Sequence, residues 1–276
     1  MGAADRIAVV KASVHVGRLV REWRTARGLS QLALAEDAGF SSRHVSFIET
    51  GRTQPSRQSL LVLAETLDMP LRDRNRLLEA GGYARMFSET PLEAAEMTRI
   101  RSVLQFVLDR HLPNAALVLD RYANCLMGNA ASGRLLARLV DPALMTPGAN
   151  MLRVIFHPQG VRRWIVNWPH VGRYLLDRAE RDFGGSAADD AGAQLLRELR
   201  GCADLPEAAD APARGGASDV LLPVHIRRGD LELRLVTTIM TFGTPQDVTL
   251  QELRLESFFP ADEESERRWA AVMSEG

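Results

Sequence analysis

The sequence predicts an α+β protein in two parts: an all-helical domain over residues 1–85, then an antiparallel sheet covered by helices over 86–276. Three observations lead there. Between Val14 and Gly81 apolar residues recur at helical spacing, broken by short Gly, Ser and Pro punctuation. Near the other end, Val220–Arg227, Leu231–Phe242 and Val248–Phe258 carry the clearest strand patterns. The charge divides at the same boundary, with 13 Lys and Arg against 9 Asp and Glu in residues 1–85, and 21 against 26 in the rest. The net charge of −1 is thus an average over a basic segment and an acidic body, and does not exclude a polyanionic partner.

In the N-terminal part, Val16, Leu19, Val20 and Trp23 mark a first helix that Arg27-Gly28 ends. Ser30 caps a second, short helix carrying Leu32, Leu34, Ala35 and Ala38. Gly39 supplies a tight turn, and Ser41 caps a third helix with Val45 and Ile48, closed by Gly51. Pro55-Ser56 opens a fourth helix, and Pro70 opens a fifth that Gly81-Gly82 ends. From Pro91 the pattern predicts a helix through Ile100–Leu108 that Pro113 stops, strands at Ala115–Asp120 and Cys125–Gly128, and helices at Ala130–Val140, Gly160–Phe183 and Ala191–Leu199. Gly201–Asp219, rich in Ala, Gly, Pro and Asp, is expected to be a surface loop. The three late strands then form a meander, with helices expected on one face of the sheet.

Several classes are excluded early. A length of 276 residues allows about two domains. A 46% hydrophobic and 25% charged composition is that of a globular chain, not of a disordered or fibrous one. No apolar run approaches the roughly 18 residues of a membrane span, and the N-terminus lacks a secretory signal pattern. Cys125 and Cys202 are too few for a disulfide framework or a four-ligand zinc site. His157, His170 and His225 show no metal-ligand spacing, and no nucleophile elbow, P-loop or dinucleotide fingerprint occurs. The expectation is a soluble cytoplasmic protein, not an enzyme, with no membrane contact, no metal and no cofactor.

Residues 30–52, SQLALAEDAGFSSRHVSFIETGR, have the helix, glycine turn, helix order of a helix-turn-helix. Val45 and Ile48 point the third helix into the core, which leaves Ser42, Arg43, His44, Ser46 and Phe47 outward. Ser41 joins them at the N-terminal end, where a recognition helix meets base edges. Arg43 suits guanine, the serines suit several bases, and Phe47 suits a thymine methyl. Gln31, Arg52 and Thr53 are placed for phosphate contacts. Double-stranded DNA is the partner these residues imply.

This segment resembles the lambda-repressor-like helix-turn-helix of XRE-family regulators over residues 14–82, through Ser30-Gln31, the LAEDAG run, Ser41 and the IETGR ending. The resemblance implies an internal ion pair between Arg24 and Glu49. Phe47 departs from the pattern, since many relatives carry a polar residue there.

The second part carries its own resemblance. ALVLDRYANCLMGNA (Ala116–Ala130), the FHPQG and IVNW segments, and TTIMTFGTPQDVTLQELRLESFFPAD (Thr237–Asp262) are similar to the MmyB-like transcription regulators. That family implies a PAS-like ligand-binding domain, with fatty acids or related lipophilic molecules as the effector class. On this basis Met151, Phe156, Trp164, Trp168, Leu235, Thr237 and Ile239 are candidate pocket walls, with Arg121 or Arg153 to meet a carboxylate. The implied whole is a homodimer on a palindromic operator, hinged at Gly81–Pro91 and controlled by a non-covalent, fatty-acid-like ligand. The alternative is a C-terminal domain that binds a partner protein in place of a small molecule.

Overall fold

The computed structural model describes residues 3–183, 190–205 and 221–274, residues 3–14 by their backbone alone. The chain divides into two compact units, residues 1–91 with 243–251, and residues 92–242 with 252–276.

The first unit contains α1 (Ala3–Ala26), α2 (Gln31–Ala38), α3 (Ser42–Glu49), α4 (Arg57–Thr66) and α5 (Leu71–Ala80). Three of these begin on a serine whose hydroxyl accepts a backbone N–H: Ser30 from Ala33, Ser41 from His44 and Ser56 from Ser59, at 3.0–3.1 Å. Each cap contributes about 1 kcal/mol to helices too short to persist alone. Gly39 closes α2 at φ 69°, a left-handed conformation that a side chain would strain. Val16, Val20, Leu34, Val45, Ile48 and Leu60 are buried in the common core. Gly17 brings α1 against α3, since a Cβ there would sit 2.4 Å from the Ile48 carbonyl oxygen.

Residues 243–251 complete this unit. Asp247 accepts hydrogen bonds from the Thr90 N–H and hydroxyl at 3.1 and 2.8 Å, and the Val248 N–H donates to the Ser88 carbonyl at 2.8 Å. Gln251 accepts from the Leu71 N–H at 2.6 Å, a cap that Pro70, the residue before α5, has no side-chain acceptor to supply. Residues 84–91, expected as part of a partly helical hinge, are not helical. They are tied within the unit by these bonds and by Asn75, which accepts from Met86 and Phe87.

The second unit is a five-stranded antiparallel sheet in the order β2-β1-β5-β4-β3. Its strands are β1 (Ala115–Leu119), β2 (Cys125–Gly128), β3 (Val224–Arg228), β4 (Leu231–Met240) and β5 (Arg254–Pro260). Its helices are α6 (Thr98–Arg110), α7 (Ala130–Leu139), α8 (Met151–Phe156), α9 (Trp168–Phe183), α10 (Asp190–Cys202) and, after β5, α12 (Glu263–Ser274). All of β1 is buried, because both faces of the sheet are covered. Leu117, Glu256 and Ile239 lie in register on one face, over which α7, α8 and α9 pack. On the opposite face, Val103, Leu104 and Val107 of α6 meet Leu253, Leu255 and Met240. Trp269 of α12 is buried with the sheet leucines, its indole N–H donating to the Pro113 carbonyl at 2.9 Å.

Four expectations need correction. Helices cover two faces and not one, since α6 lies over the face that holds Leu255 and Ser257. The expected strand Val248–Phe258 begins as a short helix, α11 (Val248–Glu252), because the Asp247 carboxylate accepts the Thr249 N–H at 2.8 Å and starts a turn. The expected helix Gly160–Phe183 is interrupted: Val161–Trp164 is a 3-10 turn and α9 starts at Trp168. The expected loop at Gly201–Asp219 begins with helical residues up to Cys202, and from 206 lies outside the described residues, as does Val220 at the start of an expected strand.

Candidate functional site

Two sites emerge, one in each unit. In the first, α3 is anchored by Val45 and Ile48, both fully buried, and its other side is open. Ser41, Arg43 and Arg52 are exposed, while Ser42, His44, Ser46, Phe47 and Thr53 are half-buried. The guanidinium of Arg43 lies 5.1 Å from the centre of the Phe47 ring and that of Arg52 lies 5.7 Å from it. Phe47 is therefore a platform under two arginines, and their stacking restricts rotamers that would otherwise be free. His44 sets its ring edge against Phe40 at 5.3 Å. Ser41 holds the helix N-terminus through its cap, so the first turn of α3 presents ordered N–H groups.

Behind this face, Arg24 and Glu49 form a bidentate pair at 2.6 and 3.1 Å, as the family resemblance implies. Arg24 also donates to the Leu29 carbonyl, and Gln31 donates to Glu49 at 2.7 Å. The Glu49 side chain is 2% exposed, so its carboxylate oxygens take their hydrogen bonds from those donors in place of water. The hydrogen bonds that Arg24 donates to Glu49 raise the Arg24 pKa above its ordinary value, against the opposing effect of burial. Gln31, expected at a phosphate, has its amide N–H committed to this brace.

In the second unit a cavity of about 340 Å³ opens between the sheet and α7, α8 and α9. That volume lies at the lower end of the range of small-molecule sites. Its walls are overwhelmingly aliphatic. Of the residues singled out from sequence, Met151, Leu235, Thr237 and Ile239 line it. Phe156 and Trp168 do not: they pack edge-to-face at 4.9 Å in a separate core with Leu176 and Leu199. Trp168 is fixed there by donating to the Ala203 carbonyl at 2.9 Å. Trp164 donates to the Leu139 carbonyl and stacks under Arg163 and Arg228, so it braces the wall from outside.

Neither expected arginine lines the cavity. Arg153 is an exposed partner of Glu198, and Arg121 pairs with Glu252 and stacks on Tyr122. The cation on the wall is Arg178 of α9, ion-paired with Glu256 of β5. Its signal was present in the sequence, since Val171, Tyr174, Leu175 and Arg178 fall on one helical face, and all four line the cavity. Among the described residues no cluster of three or more His, Cys, Asp or Glu is arranged to hold a metal, and no helix is long and apolar enough to cross a membrane.

A capped, outward-facing third helix in one unit and an apolar chamber in the other define a class: a helix-turn-helix regulator that carries a ligand-binding module. Residues 15–77 match the family described as a helix-turn-helix domain. Residues 100–271, more than half of the chain, match the family described as the MmyB-like transcription regulator ligand binding domain. The chain belongs to the MmyB-like transcription regulators, with an XRE-type DNA-binding domain, and neither of its modules is an enzyme. No curated protein matches it. Among solved structures it is similar to the restriction-modification controller protein C.AhdI from Aeromonas hydrophila, at 39% identity over 22% of this chain and 94% of that one, with a TM-score of 0.22.

Proposed function

We propose that this regulator is a cytoplasmic homodimer that binds a palindromic operator through α3 and answers to a small lipophilic effector of fatty-acid type. The observation that carries the reading is the aliphatic cavity of about 340 Å³ in a domain of ligand-binding type. An amphipathic molecule gains from burying its chain there, at about 0.8 kcal/mol per CH₂ removed from water. The strand order β2-β1-β5-β4-β3, with α7, α8 and α9 enclosing a cavity against one face, supports reading the domain as PAS-like.

On the DNA side, Arg43, with Ser42, His44 and Ser46, reads bases, while Arg52, Thr53 and Ser41 meet phosphates. Phe47 is a support for Arg43 and Arg52 as much as a contact. An effector controls this only by favouring one arrangement of the protein over another; tight binding alone shifts nothing. The covalent path for such a preference exists: β4 and β5 both line the cavity, and the nine residues that join the first unit, 243–251, lie in the connection between them.

A second reading, a partner protein in place of the small molecule, draws on the exposed Val103, Phe106 and Met240. Footprinting upstream of the protein's own gene, with and without lipid extract, separates the two. The effector reading expects a protected palindrome whose occupancy changes with extract. Occupancy indifferent to extract, with no lipid retained on native mass spectrometry, favours the partner protein.

A further inference from the structure

The cavity wall carries charge at one corner, where Arg178 and Glu256 pair; its other polar side chains are the hydroxyls of Ser132, Tyr174 and Thr237. Arg178 is 17% exposed and Glu256 12%, so both have given up most of their hydration. The Arg178 Nε lies 3.7 Å from the Asp182 carboxylate, and no acceptor among the described residues meets its Nη1. A desolvated guanidinium with donors to spare, at the end of an aliphatic chamber, is complementary to a carboxylate on an apolar chain.

Glu256 occupies one side of that fork, and its charge is also felt by a second cation. Arg254, two residues earlier on β5, is paired with Asp182. Burial opposes the Arg254 charge, but Asp182, Glu256 and Glu252 outweigh it and hold its pKa above the ordinary value. Glu256 therefore keeps a cation in reach if it leaves Arg178, which lowers the cost of its release.

We propose, building on the effector reading above, that Arg178 anchors the head of an amphipathic ligand with a single anionic oxygen head. Glu256 is the built-in competitor that this head displaces. Arg178 then sets specificity, favouring chains with an anionic head over those with a neutral one, and Glu256 tunes affinity.

The test is calorimetric titration of the full chain with decanoate and with decanol, which share a chain and differ in the head. The wild-type protein is compared with Glu256→Gln, Arg178→Gln and Arg178→Lys, each checked by thermal melting. Glu256→Gln is expected to tighten decanoate by about tenfold, the scale of one charge-assisted hydrogen bond. Arg178→Gln is expected to weaken it by about tenfold or more on the same scale, and Arg178→Lys to restore part of the loss. Decanol affinity stays within about twofold throughout, because it forms no charged bond. If Glu256→Gln weakens decanoate, or both arginine variants shift decanol as much as decanoate, the pair is structural and the anchor is overturned, while the cavity reading stands. If neither compound binds the wild-type protein, the effector reading fails, and the anchor with it.

Discussion

Arg43 is held over Phe47 at the exposed start of α3, and its replacement separates two roles for the same guanidinium. Arg43→Ala is expected to cost about 1–3 kcal/mol of operator binding and to relax specificity at one base position. Binding to a panel of single-base operator variants measures this; uniform weakening across the panel assigns Arg43 to phosphate instead. Glu49 is a different kind of residue. Glu49→Ala strands Arg24 and Gln31, both of which donate to its carboxylate, and is expected to destabilise the first unit by about 3 kcal/mol in denaturant unfolding. The surface of α3 was legible in the sequence because Val45 and Ile48 fix the helix phase, and the phase decides what faces out. The cavity residues were harder. A tryptophan or phenylalanine announces a core but not which of two cores: Phe156 went to the second, and Trp168 packs against both. Arg178 differs from Arg153 in the helix phase of its apolar neighbours, not in residue type.

Helix starts were legible wherever a serine stood ahead of an apolar stripe, as at Ser30, Ser41 and Ser56. They were missed where the cap was Asn150 or Asp262, whose side chains accept the N–H groups of Arg153 and Ser265 and begin α8 and α12. In Val248–Phe258 the β-prone sequence concealed an Asp247 cap. Asp247→Ala removes the acceptor for Thr90 and Thr249, so hydrogen exchange at both amides is expected to accelerate. The same variant should reduce the effector's influence on operator binding and leave effector affinity unchanged, because Asp247 is not on the cavity wall.

The β3–β4 hairpin carries a pH-dependent element. Arg227 and His225 hold the Glu232 carboxyl down to about 2. A depressed carboxyl pKa contributes stability that is present above its unfolded value near 4.5 and is lost as pH falls toward about 2. Glu232→Gln is therefore expected to flatten the acid limb of the stability profile between those values, read by thermal melting. Equal profiles for the two proteins contradict the assignment.

For the whole molecule, the charge division along the chain bears on how DNA binding answers to salt. Excess arginine in residues 1–85 implies that operator affinity falls steeply with added salt, through release of counterions from the phosphates contacted. The assignment of 243–251 to the first unit was not legible, since it depends on bonds between residues far apart in sequence, Thr90 to Asp247 and Leu71 to Gln251. Occupancy of the cavity is expected to change DNA binding. The most direct measurement is fluorescence anisotropy of the footprinted operator titrated with the full chain, with and without saturating decanoate, in the wild-type protein and in Thr237→Trp, which fills the cavity. The expected result is a Kd changed by about tenfold in the wild-type protein, a coupling of ordinary allosteric size, and unchanged in Thr237→Trp. A wild-type Kd that does not move, in a sample shown by calorimetry to have bound the fatty acid, contradicts it.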